Sequence, residues 1–204
     1  PGFRKLRATK VVRENEQVCS IYLTAADGAA LPAAQAGQYL TLRISGAGQP
    51  APVRSYSLSW AADGGTYRIS VKQEPHGAAS SYLNRDLRPG ETLDAAAPRG
   101  DFVLDEGAGP VLLISAGIGV TPVLSMLDQL AAGHSQRVIW WLYGARGPRE
   151  HPFAADHADF QHRLAVDEAK TLIAEVDRAL LPTISAPDFL SNRQCIEELV
   201  CKEQ

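Results

Sequence analysis

Arg54-Ser55-Tyr56-Ser57 sets a cation, an aromatic ring and two hydroxyls within four residues. The segment reads as part of a strand, and strand side chains alternate. Arg54 and Tyr56 therefore share one face while Ser55 and Ser57 share the other. A flavin asks for such a set: an aromatic wall for its ring, a cation for its pyrophosphate, and hydrogen-bond partners for ring N5 and O4. An ordinary amphipathic strand with an exposed Arg and a packed Tyr would look the same in isolation.

Three further segments suit phosphate or nucleotide chemistry. His76-Gly77-Ala78-Ala79-Ser80 leads into a short helix. Small residues there let backbone N–H groups approach a phosphate, and the Ser80 hydroxyl can add to them. A plain loop-to-helix turn has the same composition. Gly117-Ile118-Gly119-Val120-Thr121-Pro122 follows an apolar run, with Pro122 where a third glycine would complete G-x-G-x-x-G. Its glycines still allow a sharp turn and close approach of a dinucleotide to bare backbone. Tyr143-Gly144-Ala145-Arg146 ends a second apolar run. Ligands of open α/β sheets bind beyond the carboxyl ends of strands, so Arg146 is placed to meet a ribose or a 2′-phosphate. The absence of Asp or Glu at that strand end leans the choice toward NADPH; a solvated loop Arg is the other reading.

The elements that must position these residues fall into two halves. Residues 3–13, 17–25, 38–45, 53–60, 66–73 and 92–97 read as short strands, with a helix over 78–86. The runs flanking Asp63-Gly64-Gly65 form an expected antiparallel hairpin. Six strands at this spacing predict a small closed barrel. After Gly107-Ala108-Gly109 the pattern changes: PVLLIS (110–115) and RVIWWLYG (137–144) are strands buried on both faces. Between them Thr121 is the expected N-cap of a helix, Pro122 its first position and Gly133 its stop. That is a βαβ unit. Further on, the apolar spacing of Leu164, Leu172, Ile173, Val176 and Leu180 predicts a helix over 164–181, ended by Pro182. Ser191 to Gln194 form a capping box for a last helix over about 192–202.

Of the 204 residues, 45% are hydrophobic and 21% charged, an ordinary globular composition. Residues 1–105 carry a net +2 and residues 106–204 a net −5, too little positive charge for nucleic-acid binding. No apolar run approaches the ~18 residues of a membrane span, and PGFRKLRATK lacks the apolar core of a signal peptide. Both point to the cytoplasm. Cys19, Cys195 and Cys201 have neither the number nor the neighbours for a metal site.

RSYS, the GAAS loop (77–80), PRGDF (98–102), SAGIGVTP (115–122) and LYGAR (142–146) stand in the order and spacing of the ferredoxin-NADP reductase superfamily. Over residues 1 to about 155 the chain resembles the reductase halves of flavohaemoglobins, oxygenase reductases and MOSC-linked reductase modules. The resemblance implies a six-stranded antiparallel FAD-binding barrel over 1–105. It implies a Rossmann-like parallel-sheet NAD(P)-binding half over 106–204. By motif it assigns Arg54, Ser55, Tyr56 and Ser57 to the flavin, Gly77, Ala78, Ala79 and Ser80 to its pyrophosphate, and Lys72 to a recurring basic position before that loop. Gly117, Ile118, Gly119, Val120, Thr121 and Arg146 go to the nicotinamide nucleotide. The implied activity takes hydride from NAD(P)H onto FAD and passes electrons to an iron–sulfur or haem acceptor, fused or separate, with no role for nucleic acid or membrane. Hydride transfer requires no acid–base residue, so none is assigned a catalytic role.

The C-terminal quarter departs from that pattern. No C-G-P segment is present to flank the nicotinamide, and neither Cys195 nor Cys201 precedes Gly. With VLLIS and VIWWLY as the clear parallel strands and a mostly helical tail, the nucleotide half reads as incomplete. The alternative is a degenerate FAD-binding protein with little NAD(P)H turnover.

Overall fold

A computed structural model describes residues 2–60, 65–145, 152–153 and 171–177. Six strands, β1 (Arg4–Arg13), β2 (Val18–Ala25), β3 (Tyr39–Arg43), β4 (Val53–Trp60), β5 (Tyr67–Lys72) and β6 (Thr92–Ala95), close into an antiparallel barrel of order β1-β2-β5-β4-β3-β6. Alternation along each strand explains the closure. Cys19, Ile21 and Leu23 of β2 and Leu40 and Leu42 of β3 point inward and are fully buried. The β4–β5 hairpin forms as its sequence predicts, although Asp63 and Gly64 of its turn lie outside the described residues.

The outer face of this barrel is partly buried too. Ser20 lies opposite Ser70 on neighbouring strands, and their hydroxyls bond at 2.7 Å. Ser70 also bonds Ser59 at 2.8 Å, and Arg68 donates to both the hydroxyl and the carbonyl of Ser59. All four residues are buried, so their polar atoms need these partners.

Helix α1 (Ala78–Arg85) crosses from β5 toward β6. Buried Asn84 pins it, its Nδ2 donating to the carbonyls of Val71 and Ser80. Arg13 of β1 holds the other side of Asn84, donating to its Oδ1 and its backbone carbonyl.

The second half is a parallel sheet of order β7-β8-β9, with β7 (Val111–Ala116), β8 (Ile139–Ala145) and β9 (Thr171–Asp177), and helix α2 (Thr121–Ala132) after β7. Two expectations are corrected. The helix expected over 164–181 is, over Thr171–Asp177, a third parallel strand paired with β8 from Ile139–Thr171 to Ala145–Asp177. Helical apolar spacing and composition are weak local preferences. Thr171, Ile173 and Val176 are β-branched, and the free edge of β8 offers a full ladder of backbone partners. Thr121 is not an N-cap: a 3-10 turn over Gly117–Val120 precedes it, placing it inside the helix, where its hydroxyl donates to the Ile118 carbonyl. Pro122 lies in the first helical turn and Gly133 at the C-cap, as expected. The last helix expected over 192–202 lies outside the described residues.

The halves share a core. Val18 of β2 and Ala36 of the loop before β3 pack in one apolar cluster with Val123, Leu124 and Leu127 of α2. Among the described residues no helix is long and apolar enough to cross a membrane.

Candidate functional site

Where α2 meets the barrel, a cleft of about 510 Å³ opens between β4, the loop into α1 and the turn into α2. Its volume lies within the range of small-molecule sites, roughly 300–1,000 Å³. Arg54, Ser55, Tyr56 and Ser57 form one wall. Lys72, Gly77, Ala78, Ala79 and Ser80 form the floor, and Ile118, Gly119 and Thr121 the facing wall. Residues 60 positions apart in sequence thus meet because the barrel and the βαβ unit pack edge to edge.

On β4, Arg54 and Tyr56 lie opposite Leu42 and Leu40 of β3, and Ser55 opposite Thr41. The alternation expected from the sequence is present, yet both faces reach the cleft, because it wraps the end of the strand. Arg54 is exposed, lines the cleft and donates to the Val53 carbonyl at 2.8 Å, one of its five N–H donors. Tyr56 is half-buried against the barrel core. Burial pushes its phenol up to about 12, and the neighbouring Arg54 cation offsets only part of that. The ring is therefore a neutral wall at any physiological pH. The Ser55 hydroxyl bonds Thr41, which in turn accepts from Arg99, so this serine is oriented from behind.

The floor is built by hydrogen bonds within its own loop. Ser80 Oγ accepts the Glu74 N–H and donates to the Gly77 carbonyl. The Ser80 hydroxyl therefore shapes the loop while Ser80 also lines the cleft. No side chain caps the start of α1, so its first-turn N–H groups face the cleft beside Ala78 and Ala79. An uncapped helix start suits an anion, through its free N–H groups and through the helix dipole.

On the facing wall Gly119 has open space where a Cβ would stand, a cradle that any side chain would fill. Gly117, at φ +52°, makes the left-handed turn out of β7 and lines a neighbouring cleft of about 430 Å³ with Asn15, Gln17 and Pro152. Lys72 and Ile118 border both clefts. Val120, expected to touch the nucleotide, is buried in the core behind the turn and supports it from below. Arg146 lies outside the described residues.

Four lining residues were not anticipated: Pro52, Ser70, Glu74 and Pro122. Ser70 was within reach of sequence reasoning, since it stands two residues before Lys72 on one strand and shares its face. Glu74 gives no such signal. Its backbone bond to Ser80 brings it to the mouth of the cleft.

The uncapped anion seat, the aromatic and cationic wall and the glycine cradle fit a flavin with its pyrophosphate and, across the cleft, a dinucleotide. The comparisons with known proteins agree. Residues 5–104 match the oxidoreductase FAD-binding domain and residues 113–175 the oxidoreductase NAD-binding domain, the second match reaching into β9. The flavohemoprotein of Deinococcus radiodurans is 42% identical over 161 residues, covering 78% of this chain and 40% of that protein. The chain thus spans about two-fifths of that relative's length. The crystal structure of the flavohem-like FAD/NAD-binding domain of nitric oxide dioxygenase from Vibrio cholerae superposes with a TM-score of 0.78 at 32% identity, covering 86% of this chain and 74% of that one. Phthalate dioxygenase reductase, described as a modular structure for electron transfer from pyridine nucleotides to [2Fe–2S], superposes at 0.72 with 28% identity, over 93% of this chain and 56% of that one. With its FAD-binding barrel joined to an NAD-binding parallel sheet, this chain belongs to the ferredoxin-NADP reductase superfamily, among the reductase domains of flavohaemoglobin type.

Proposed function

We propose that the chain is the reductase unit of an electron-transfer system. FAD, once bound, accepts hydride from NAD(P)H and releases electrons to a haem or iron–sulfur centre on a fused or separate partner. The observation that carries this reading is the single cleft into which both the flavin strand and the nucleotide turn open. Arg54 and the first turn of α1 hold the pyrophosphate, and Tyr56 shields one side of the ring. Ser57 meets the ring edge, and Gly117, Ile118, Gly119 and Thr121 receive the nucleotide. Ser55, Lys72, Gly77, Ala78, Ala79 and Ser80 shape the flavin side, and Val120 backs the nucleotide turn. Such a unit draws on the cytoplasmic pool of pyridine nucleotides.

The third strand, β9, widens the nucleotide sheet beyond the two strands read from the sequence, which favours turnover over a degenerate flavin carrier. The test is direct. The protein loaded with FAD is titrated anaerobically with NADH and with NADPH. Stoichiometric bleaching of the flavin band is expected, and a flavin that stays oxidised with both nucleotides would refute the reading.

A further inference from the structure

Ser125 lies on α2, one turn beyond the nucleotide turn, and is almost fully buried at 2% exposure. Its hydroxyl accepts the N–H of Gly37 at 2.9 Å and donates to the carbonyl of Pro122 at 2.8 Å. Gly37 belongs to the barrel, in a tight turn closed by the Gln38 N–H bonding to the Gln35 carbonyl. It sits at φ +101°, and a Cβ there would strike the Phe102 carbonyl and the Met126 methyl. The Gly37 backbone thus packs directly against Met126 of α2 and the Phe102 carbonyl. Around it, Ala36 donates to Gln129 Oε1 at 3.4 Å and accepts from the Leu104 N–H at 3.3 Å. On its other side the Gln38 carbonyl accepts the N–H of Leu58 at 2.8 Å. Leu58 follows Ser57 on the flavin strand.

A continuous path of short bonds therefore runs from Pro122 on the nucleotide wall, through Ser125, Gly37 and Gln38, to the residue beside Ser57 on the flavin wall. We propose that Ser125 is a positioning residue that sets the spacing of the two walls of the cleft. It lines neither of the two clefts. It acts by fixing α2 against β4 through Gly37. An alanine would keep most of the packing but leave the buried Gly37 N–H unpaired and remove the side-chain bond to the Pro122 carbonyl, two residues after the nucleotide turn. Reaction between two bound groups depends steeply on how they are held, with about 10²-fold lost for a misplacement of about 1 Å. A small slackening here therefore acts on rate more than on binding.

This proposal rests on the reductase reading, and its tests separate the two. In FAD-free protein, amide hydrogen exchange at Gly37 should quicken in Ser125→Ala and return toward the wild-type value in Ser125→Thr, which keeps the hydroxyl. Unchanged exchange overturns the clasp, whatever the protein catalyses. In FAD-loaded protein, the bleaching rate at saturating NAD(P)H should fall about tenfold in Ser125→Ala, while FAD and nucleotide affinities change less than about twofold. The long-wavelength charge-transfer absorbance that develops when oxidised nucleotide is added to the reduced flavoprotein should weaken with the rate, and threonine should restore both. A wild-type rate per bound FAD in Ser125→Ala, even with a lower melting temperature, would show a structural role alone and overturn the proposal. Wild-type protein that neither nucleotide bleaches would remove the reductase reading, and the positioning role with it.

Discussion

Ser80 Oγ accepts the Glu74 N–H at 3.1 Å, across the turn that carries Gly77. This contact gives the anion seat its shape before any ligand arrives. Ser80→Ala removes it together with the bond to the Gly77 carbonyl. A cost of about 1 kcal/mol in stability is expected from such neutral hydrogen bonds, with a weaker hold on FAD. Urea denaturation of the FAD-free protein and FAD titration measure the two effects separately.

Arg54 offers a simpler case, since its side chain donates to the backbone carbonyl of Val53 on the same strand. Arg54→Ala should leave the barrel intact and weaken FAD binding by roughly tenfold to over a hundredfold, the worth of a charge-assisted bond to phosphate at about 1.5–3 kcal/mol. Recovery of free-flavin fluorescence on dilution reads the affinity. An unchanged value would take Arg54 out of the site.

Gly119→Val probes the facing wall. A Cβ at this position meets nothing within 4 Å, so the substitution should fold normally and retain FAD. The valine occupies the space the dinucleotide needs, and bleaching by NAD(P)H should fall steeply. FAD content and stopped-flow reduction, measured on one preparation, keep the two effects apart.

Cys19 lies inside the barrel, and burial pushes its thiol up to about 11, with the nearby Arg13 cation opposing that only in part. The folded state thus holds the proton more tightly than the unfolded chain does. The resulting stability is fully present below the unfolded thiol's value near 9 and is lost as pH rises toward about 11. Cys19→Ala should flatten the fall of the denaturation midpoint across that window. An equally steep fall in the variant would show that other groups govern it.

How far the sequence revealed the molecule depended on the range of the forces involved. Residues 53–60 and 66–73 show their strands openly, because one face of each packs on the core and the alternation is local. The sharp break after β7 was legible because Gly117 is a local signal for a left-handed turn. Thr121 was misread because the extra 3-10 turn reflects how β7 meets α2, a matter of tertiary packing. The segment at Thr171–Asp177 was misread because its pairing partner, β8, lies some 30 residues earlier, and no local pattern announces it. Val120 was assigned to the ligand when its motif was read as a unit, whereas the chain turns it inward.

The buried hydroxyls of Ser20, Ser59 and Ser70, with the Arg68 guanidinium, act as a key for strand alignment. Apolar packing tolerates many near fits, but a chain of directional bonds has one solution. A slip of β5 by one residue would turn Ser70 and Arg68 into the barrel interior and Ile69 and Val71 out of it. It would also carry Lys72 away from the cleft. Fidelity of β5 pairing during folding and placement of a cofactor cation are thus one property of the sequence. Replacing the serines with small apolar residues would relax the two together.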